Sequence, residues 1–150
     1  MISDFKSVVA MARVIELAVA PVFLLTAIGT MLSVMTNRLA RIIDRARYHE
    51  AKLENALPEA VPPLHASLAT LSRRADLIGH AIFLCTATAL LVCTVIALLF
   101  MGDYLRYDVS LFIAGLFILG MLLLVLGLIC FLREIFIAKA SLQIGPNSRR

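Results

Sequence analysis

Four polar residues in the first apolar stretch have the type and spacing to do chemistry inside a membrane. They recur every three or four positions, which places them on one face of a helix: Thr26, Thr30, Ser33 and Asn37. In an oligomer, this polar stripe could line a water-filled path that ends at a ring of arginines and favours anions. Alternatively, the hydroxyls donate to carbonyls of the preceding turn, which costs little in a membrane helix. We favour this second interpretation.

Two ionisable residues lie near the ends of apolar segments. A carboxylate inside a membrane is costly and functional by default, but Glu16 lies near the outer end of its segment, where we expect it to pair with Arg13 or Arg106. His80 lies one turn inside another segment, where a lone histidine is more simply a structural hydrogen-bond donor. A membrane enzyme that uses either residue is the weakest hypothesis, because neither has a catalytic partner in the sequence.

No catalytic or metal-binding pattern occurs in the chain. The sequence lacks a Gly-rich phosphate loop, an HExxH motif, a GxSxG motif and paired carboxylates with a nearby base. The three cysteines, Cys85, Cys93 and Cys130, lie inside apolar runs without CxxC or Cys/His spacing. We therefore predict no enzyme activity, no cofactor, no metal site and no disulfide.

Composition identifies the elements that must position these residues. The chain has 150 residues, of which 61% are hydrophobic and 16% charged, too apolar for a soluble domain of this length. Three apolar segments reach the ~20 helical residues that cross a ~30 Å hydrocarbon layer. They cover about residues 14–36, 77–102 and 111–132.

The distribution of positive charge predicts the topology. Lys and Arg concentrate on the cytoplasmic side of membrane proteins, and here they concentrate in residues 37–76 and in the tail, residues 133–150. Residues 37–76 also show helical apolar spacing on both sides of the proline-rich PEAVPP, Pro58–Pro63. We predict one all-α membrane domain with three transmembrane helices, the first two extended into an antiparallel cytoplasmic helical hairpin. The N-terminus is then outside, and the tail is cytoplasmic.

A basic segment follows the polar stripe directly. It has no Pro or Gly, so one helix is expected to leave the bilayer and continue into water. At a membrane exit, its charge is better explained by topology and anionic lipid head groups than by nucleic acid. Its charged residues are Arg38, Arg41, Asp44, Arg45 and Arg47.

Small residues recur at every fourth position of the second segment. Close backbone approach along such a groove is a main way in which membrane helices associate. We predict a packed seam that meets another span or a second subunit. Its residues are Ala81, Cys85, Ala89, Cys93 and Ala97, and Gly29 is a small residue beside the polar stripe of the first span.

The stretch PVFLLTAIGTMLSVMTNRLARIIDRAR resembles a family of small bacterial three-span membrane proteins classified as a domain of unknown function. The stretches RRADLIGHAIFLCTATALLVCTVIALLF and GLFILGMLLLVLGLICFLREIFIA are also similar, and NRLARIIDRAR is the most specific part. The resemblance implies a bacterial inner-membrane protein with three spans and brings no activity. A functional surface marked by the family segment would consist of Asn37, Arg38, Arg41, Asp44, Arg45 and Arg47, with Arg133 and Glu134 on the same side.

Two functional hypotheses follow. The first is a non-enzymatic, homo-oligomeric membrane module that uses its cytoplasmic hairpin as an interaction stalk. The alternative is a homo-oligomeric channel or pore lined by the polar face of the first span.

Overall fold

A computed structural model describes residues 2–54, 58–105 and 110–142, and these residues are almost entirely helical. Helix α1 spans Ile2–Leu53, a 3-10 turn spans Pro58–Ala60, α2 spans Val61–Leu105 and α3 spans Ser110–Leu142. Each of the three α-helices is long and apolar enough to cross a membrane. The prediction of an all-α fold with three candidate membrane helices is therefore confirmed.

The helix ends follow from local sequence. Helix α1 continues without interruption through the predicted membrane exit to Leu53, as expected for a stretch without Gly or Pro after Thr36. Pro62 and Pro63 lie in the first turn of α2, where a proline is tolerated because the first N–H groups have no partner within the helix. The predicted tail beyond Leu142 and the predicted partner Arg106 lie outside the described residues.

Buried positions repeat every seven residues on all three helices. On α1 the repeat is Ile28, Met35 and Ile42, and on α3 it is Gly120, Gly127 and Glu134. On α2 two such series interleave, Leu71, Ile78, Cys85 and Val92 with Ala81, Thr88 and Val95. A repeat of seven residues per two turns is typical of helices that pack along one face in the left-handed, coiled-coil manner.

One compact unit consists of Met1–Leu32 and Leu84–Val125. Within it, the buried hydroxyl of Thr88 contacts Leu84 O at 2.9 Å in its own helix and Gly120 O at 3.2 Å on α3. A Cβ added at Gly120 would meet Leu91 Cβ at 3.7 Å, which is ordinary contact. An alanine would therefore fit at this position, and the specific contact between α2 and α3 here is the hydrogen bond from the Thr88 hydroxyl to Gly120 O.

The second compact unit consists of Ser33–Phe83 and Leu126–Arg150. It contains the end of α1, the start of α2 and the end of α3, and with them the basic segment. Its buried apolar residues include Met35, Ile42, Leu71 and Ile78.

We predict that Thr88→Val lowers stability by about 1 kcal/mol, because interhelical hydrogen bonds in membranes contribute about 0.6 and at most about 1.7 kcal/mol. The matched control is Thr94→Val, because the exposed Thr94 hydroxyl donates only within its own helix, to Leu90 O at 2.9 Å. Equilibrium unfolding of both variants in mixed micelles measures the difference. Equal losses in the two variants would contradict a specific role for the bond to Gly120.

Candidate functional site

Glu134 is the only charged residue in the buried class among the described side chains. Glu134 is 0% exposed, although it lies near the polar end of α3. Its Oε1 accepts two hydrogen bonds from Arg74 on α2, from Nε at 3.0 Å and from Nη2 at 2.8 Å. Both bonds are charge-assisted, the stronger class of hydrogen bond. Arg74 is therefore the principal counter-charge of this buried carboxylate.

A second arginine reaches the same carboxylate from α1. Nη2 of Arg38 lies 3.3 Å from Glu134 Oε2, within ion-pair distance, but Oε2 accepts no hydrogen bond of good geometry from the described residues. The Arg38 guanidinium also stacks on Phe131 of α3, 5.3 Å from the ring centre. We call Arg38, Arg74 and Glu134 the charge cluster; it joins one residue from each helix.

The two arginines are not equivalent, because their access to water differs. The Arg74 side chain is 13% exposed, whereas that of Arg38 is 34% exposed. Solvent screens the more exposed ion pair, and such pairs contribute at most about 1 kcal/mol. Removing one partner of a buried pair costs about 3–5 kcal/mol, because it leaves an uncompensated charge. The Arg74–Glu134 pair therefore dominates the cluster.

The seven-residue repeats position this cluster. Glu134 follows Gly127 by seven residues, and Gly127 follows Gly120 by seven, so all three residues lie on one face of α3. Arg74 precedes Ala81 by seven residues and takes the corresponding place on α2. Glu134 and Arg74 therefore continue the seven-residue series of their own helices.

Two arginines of the predicted basic segment join the cluster arginines around one cavity. The cavity has a volume of about 210 Å³ and is lined by Arg38, Arg41, Ile42, Arg45, Leu71 and Arg74. We call it the arginine cavity. Of the other two predicted residues, Arg47 lines a separate groove of about 590 Å³ and Asp44 is exposed.

The predicted polar stripe lies on the surface of α1. Thr26, Thr30, Ser33 and Asn37 are all exposed. The Thr26 hydroxyl donates to Val22 O at 3.3 Å, and the Thr30 hydroxyl donates to Thr26 O at 3.0 Å. These two hydroxyl protons are thus satisfied within the helix, as in the interpretation that we favoured from sequence.

The two predicted ionisable residues are exposed, and Gly29 is exposed as well. Nδ1 of His80 lies 2.7 Å from Asp76 O, one turn earlier on α2. Because a carbonyl oxygen only accepts, this contact requires the tautomer with hydrogen on Nδ1. The side chains of Glu16 and Arg13 are both exposed on α1. Among the described residues, no group of three or more His, Cys, Asp or Glu side chains has the arrangement of a metal site.

The predicted small-residue seam is partly buried in the single chain. Ala81 and Cys85 are fully buried, Ala89 is half-buried, and Cys93 and Ala97 are exposed. Each step of four residues turns about 40° further around a helix with 3.6 residues per turn, so a strict fourfold spacing leaves the contact face. The buried seam continues instead through Thr88, Val92 and Val95.

The pairing of Arg74 with Glu134 was not predicted from the sequence. The family resemblance placed Glu134 on one side with Arg133, which is exposed, and with the basic segment that includes Arg38. Arg74 contributed only to the charge of the stalk. The seven-residue spacing of Gly120, Gly127 and Glu134 could have marked the face of α3 that carries Glu134, but not its partner on α2.

We predict that Glu134→Gln destabilises the protein by about 3 kcal/mol, because it leaves Arg74 without its buried counter-charge. The matched control is Glu50→Gln, which removes the same charge from an exposed position on α1. The double variant Arg74→Met/Glu134→Met should recover most of the loss, since apolar residues of similar volume often replace a buried pair without cost. Reversible unfolding in mixed micelles measures all three variants.

Comparison with known proteins gives one match. Residues 18–144 match the family described as "Protein of unknown function (DUF2721)". No curated protein and no solved structure matches the chain. The matched range contains all three residues of the charge cluster and the whole arginine cavity. Because the match covers well over half of the 150 residues, the chain belongs to the DUF2721 family, a domain of unknown function with three candidate membrane helices.

Proposed function

We propose that this protein is a non-enzymatic, homo-oligomeric module of the bacterial inner membrane whose residues 37–76 form an antiparallel helical hairpin that serves as a cytoplasmic interaction stalk. The observation that carries the proposal is an open groove of about 590 Å³ between α1 and α2 in this region. We call it the stalk groove. Its lining mixes apolar and polar residues: Ile42, Ile43, Ala46, Arg47, Glu50, His65, Leu68, Ala69, Leu71, Ser72 and Ala75.

The distribution of charge supports the orientation. Residues 37–76 contain seven Lys or Arg residues, whereas the stretch between α2 and α3 contains Arg106 alone. The positive-inside tendency places the stalk and the tail in the cytoplasm and the N-terminus outside. The basic segment then lies near anionic head groups of the inner leaflet, so the bilayer and its anionic lipids are its first partners, rather than nucleic acid.

The length of the stalk supports an interaction role. From Asn37 to Leu53, α1 rises by about 25 Å at 1.5 Å per residue, more than a loop between two spans requires. Ile43 lines the stalk groove and is 40% exposed. A partner that covers such an apolar side chain stabilises the complex by about 25 cal/mol per Å² of apolar surface removed from water.

The lining of the arginine cavity supports a binding role over catalysis. The arginine cavity contains four guanidinium groups and no acid, thiol or imidazole. An arginine stays protonated in proteins and therefore does not shuttle protons. The groups concentrated here can bind and orient an anion.

We predict that Ile43→Glu reduces cross-linking of the stalk by about tenfold, because an unpaired carboxylate in a covered contact is strongly unfavourable. A photo-reactive amino acid at Ala69, an exposed lining residue of the stalk groove, reports the contact in native membranes. The matched control is Tyr48→Glu, because Tyr48 is 58% exposed on α1 but does not line the groove.

Two results would contradict the stalk proposal. One is the absence of any adduct from the probe at Ala69 in the unmodified background. The other is an equal effect of Ile43→Glu and Tyr48→Glu on the yield. Mass spectrometry of the adduct distinguishes a second copy of this chain from another protein, and both outcomes support an interaction stalk.

The second candidate function is a homo-oligomeric channel or pore. It is favoured by the exposure of all four residues of the polar stripe, which leaves them free to meet other copies of α1. A water path surrounded by α1 helices requires a closed ring of about four or more copies. The arginines that follow the stripe would then select anions.

For the pore, we expect native mass spectrometry in nanodiscs to find such a ring and Thr30→Leu to lower anion conductance severalfold, because a branched apolar side chain dehydrates the path. The control is Thr94→Leu, an exposed threonine on α2. A dimer would reject the pore and leave the stalk proposal intact.

A further inference from the structure

The arginine cavity concentrates positive charge that the described residues do not neutralise. Arg38, Arg41 and Arg45 follow at intervals of three and four residues on α1, and Arg74 faces them from α2. Within residues 2–54, 58–105 and 110–142, the only carboxylate paired with any of these four is Glu134. Like charges at this spacing repel one another, so a bound anion would relieve the repulsion.

The cluster arginines keep donors available for such an anion. A guanidinium has five N–H donors in a planar fork that fits carboxylate or phosphate oxygens. Arg74 donates to Glu134 through Nε and Nη2, and Nη2 of Arg38 lies at ion-pair distance from the same carboxylate. The other N–H groups of both guanidinium groups are not used in these contacts. Arg41 and Arg45 are exposed and make no ion pair within the described part of the chain.

A neighbouring cavity extends the arrangement. It has a volume of about 440 Å³, shares Arg45, Leu71 and Arg74 with the arginine cavity, and adds His49. Nδ1 of His49 is buried and has no hydrogen-bond partner among the described residues. Buried polar atoms are normally paired, so this nitrogen is an unused polar contact beside the arginines.

From this geometry we infer that the arginine cavity binds a phosphate-bearing group with about two negative charges. Four guanidinium groups against one carboxylate exceed what a monovalent carboxylate or chloride would neutralise, whereas a phosphate monoester carries about −1.5 to −2 at neutral pH. The volume of about 210 Å³ is smaller than the ~300–1,000 Å³ of sites for drug-sized ligands. It therefore suits a phosphoryl group, with the rest of the ligand outside or in the neighbouring cavity.

Two sources supply this chemistry, and two arms of one experiment distinguish them. In the first arm, pyrophosphate is titrated calorimetrically into the full chain in phosphatidylcholine nanodiscs. In the second arm, phosphatidic acid, whose head group is a phosphate monoester, replaces part of the phosphatidylcholine, and native mass spectrometry measures the lipid retained after extraction. Binding in the first arm identifies a soluble phosphate ligand, and retention in the second identifies a lipid head group.

The test variant is Arg41→Gln/Arg45→Gln, and the matched control is Arg47→Gln/Arg73→Gln. Both pairs remove two positive charges from exposed arginines, but only the first pair lines the arginine cavity. For whichever of the two ligands binds the unmodified protein, we expect the test variant to lose about tenfold or more in affinity. The control should lose less than about twofold. Exposed positions tolerate such changes, and Arg45→Glu alone repeats the test with a single residue.

Two outcomes would overturn the inference. The first is that neither pyrophosphate nor phosphatidic acid binds the unmodified protein. The second is that the two double variants lose affinity equally, since this would show that net charge, rather than the cavity, attracts the anion. Neither outcome bears on cross-linking at Ala69, so the stalk proposal is tested separately.

Discussion

The burial of the Glu134 carboxylate is the constraint on which the described structure depends most. An ionised carboxylate removed from water must be neutralised and hydrogen-bonded, or its desolvation costs several kcal/mol. Arg74 supplies two hydrogen bonds to one oxygen, and Arg38 supplies a second positive charge near the other. Both arginines reach Glu134 only when the three helices have one particular rotation and axial position relative to one another. Apolar contacts between helices do not specify such a position, because lipid tails are as apolar as leucine.

The other compact unit contains a milder polar contact between the same two helices. Thr88 of α2 contacts Gly120 of α3, and Arg74 of α2 contacts Glu134 of α3. On α2, Thr88 lies 14 residues after Arg74, and on α3, Gly120 lies 14 residues before Glu134. Fourteen residues are two seven-residue repeats. A neutral hydroxyl suits the apolar length of the helices, whereas a full ion pair lies near the polar end of α3. Each contact thus uses the strongest polar interaction that its surroundings allow.

The length of the apolar runs made the three membrane helices predictable, and the absence of Gly and Pro after Thr36 predicted the continuation of α1. The charge cluster was not predictable by the same means. Spacing at every fourth residue led from Ala81 to Cys93, whereas the buried face follows a 3.5-residue period and passes through Thr88 and Val92. The partner of Glu134 depends on the register between α2 and α3, and a count along one helix contains no information about a second helix.

Arg38 and Arg74 belong both to the charge cluster and to the arginine cavity, so helix register and anion binding are linked. An anion that binds only the correctly packed helices stabilises that packing by mass action. The coupling is reciprocal. If moving α3 away from Arg74 lowers the anion affinity by a given factor, the bound anion lowers the equilibrium constant for that movement by the same factor. Glu134 therefore acts on the anion in two opposing ways. Its negative charge weakens binding directly, but its hydrogen bonds fix the guanidinium of Arg74 in place beside the cavity. A site built on free surface lysines would have the charge without this link to the packing of the three helices.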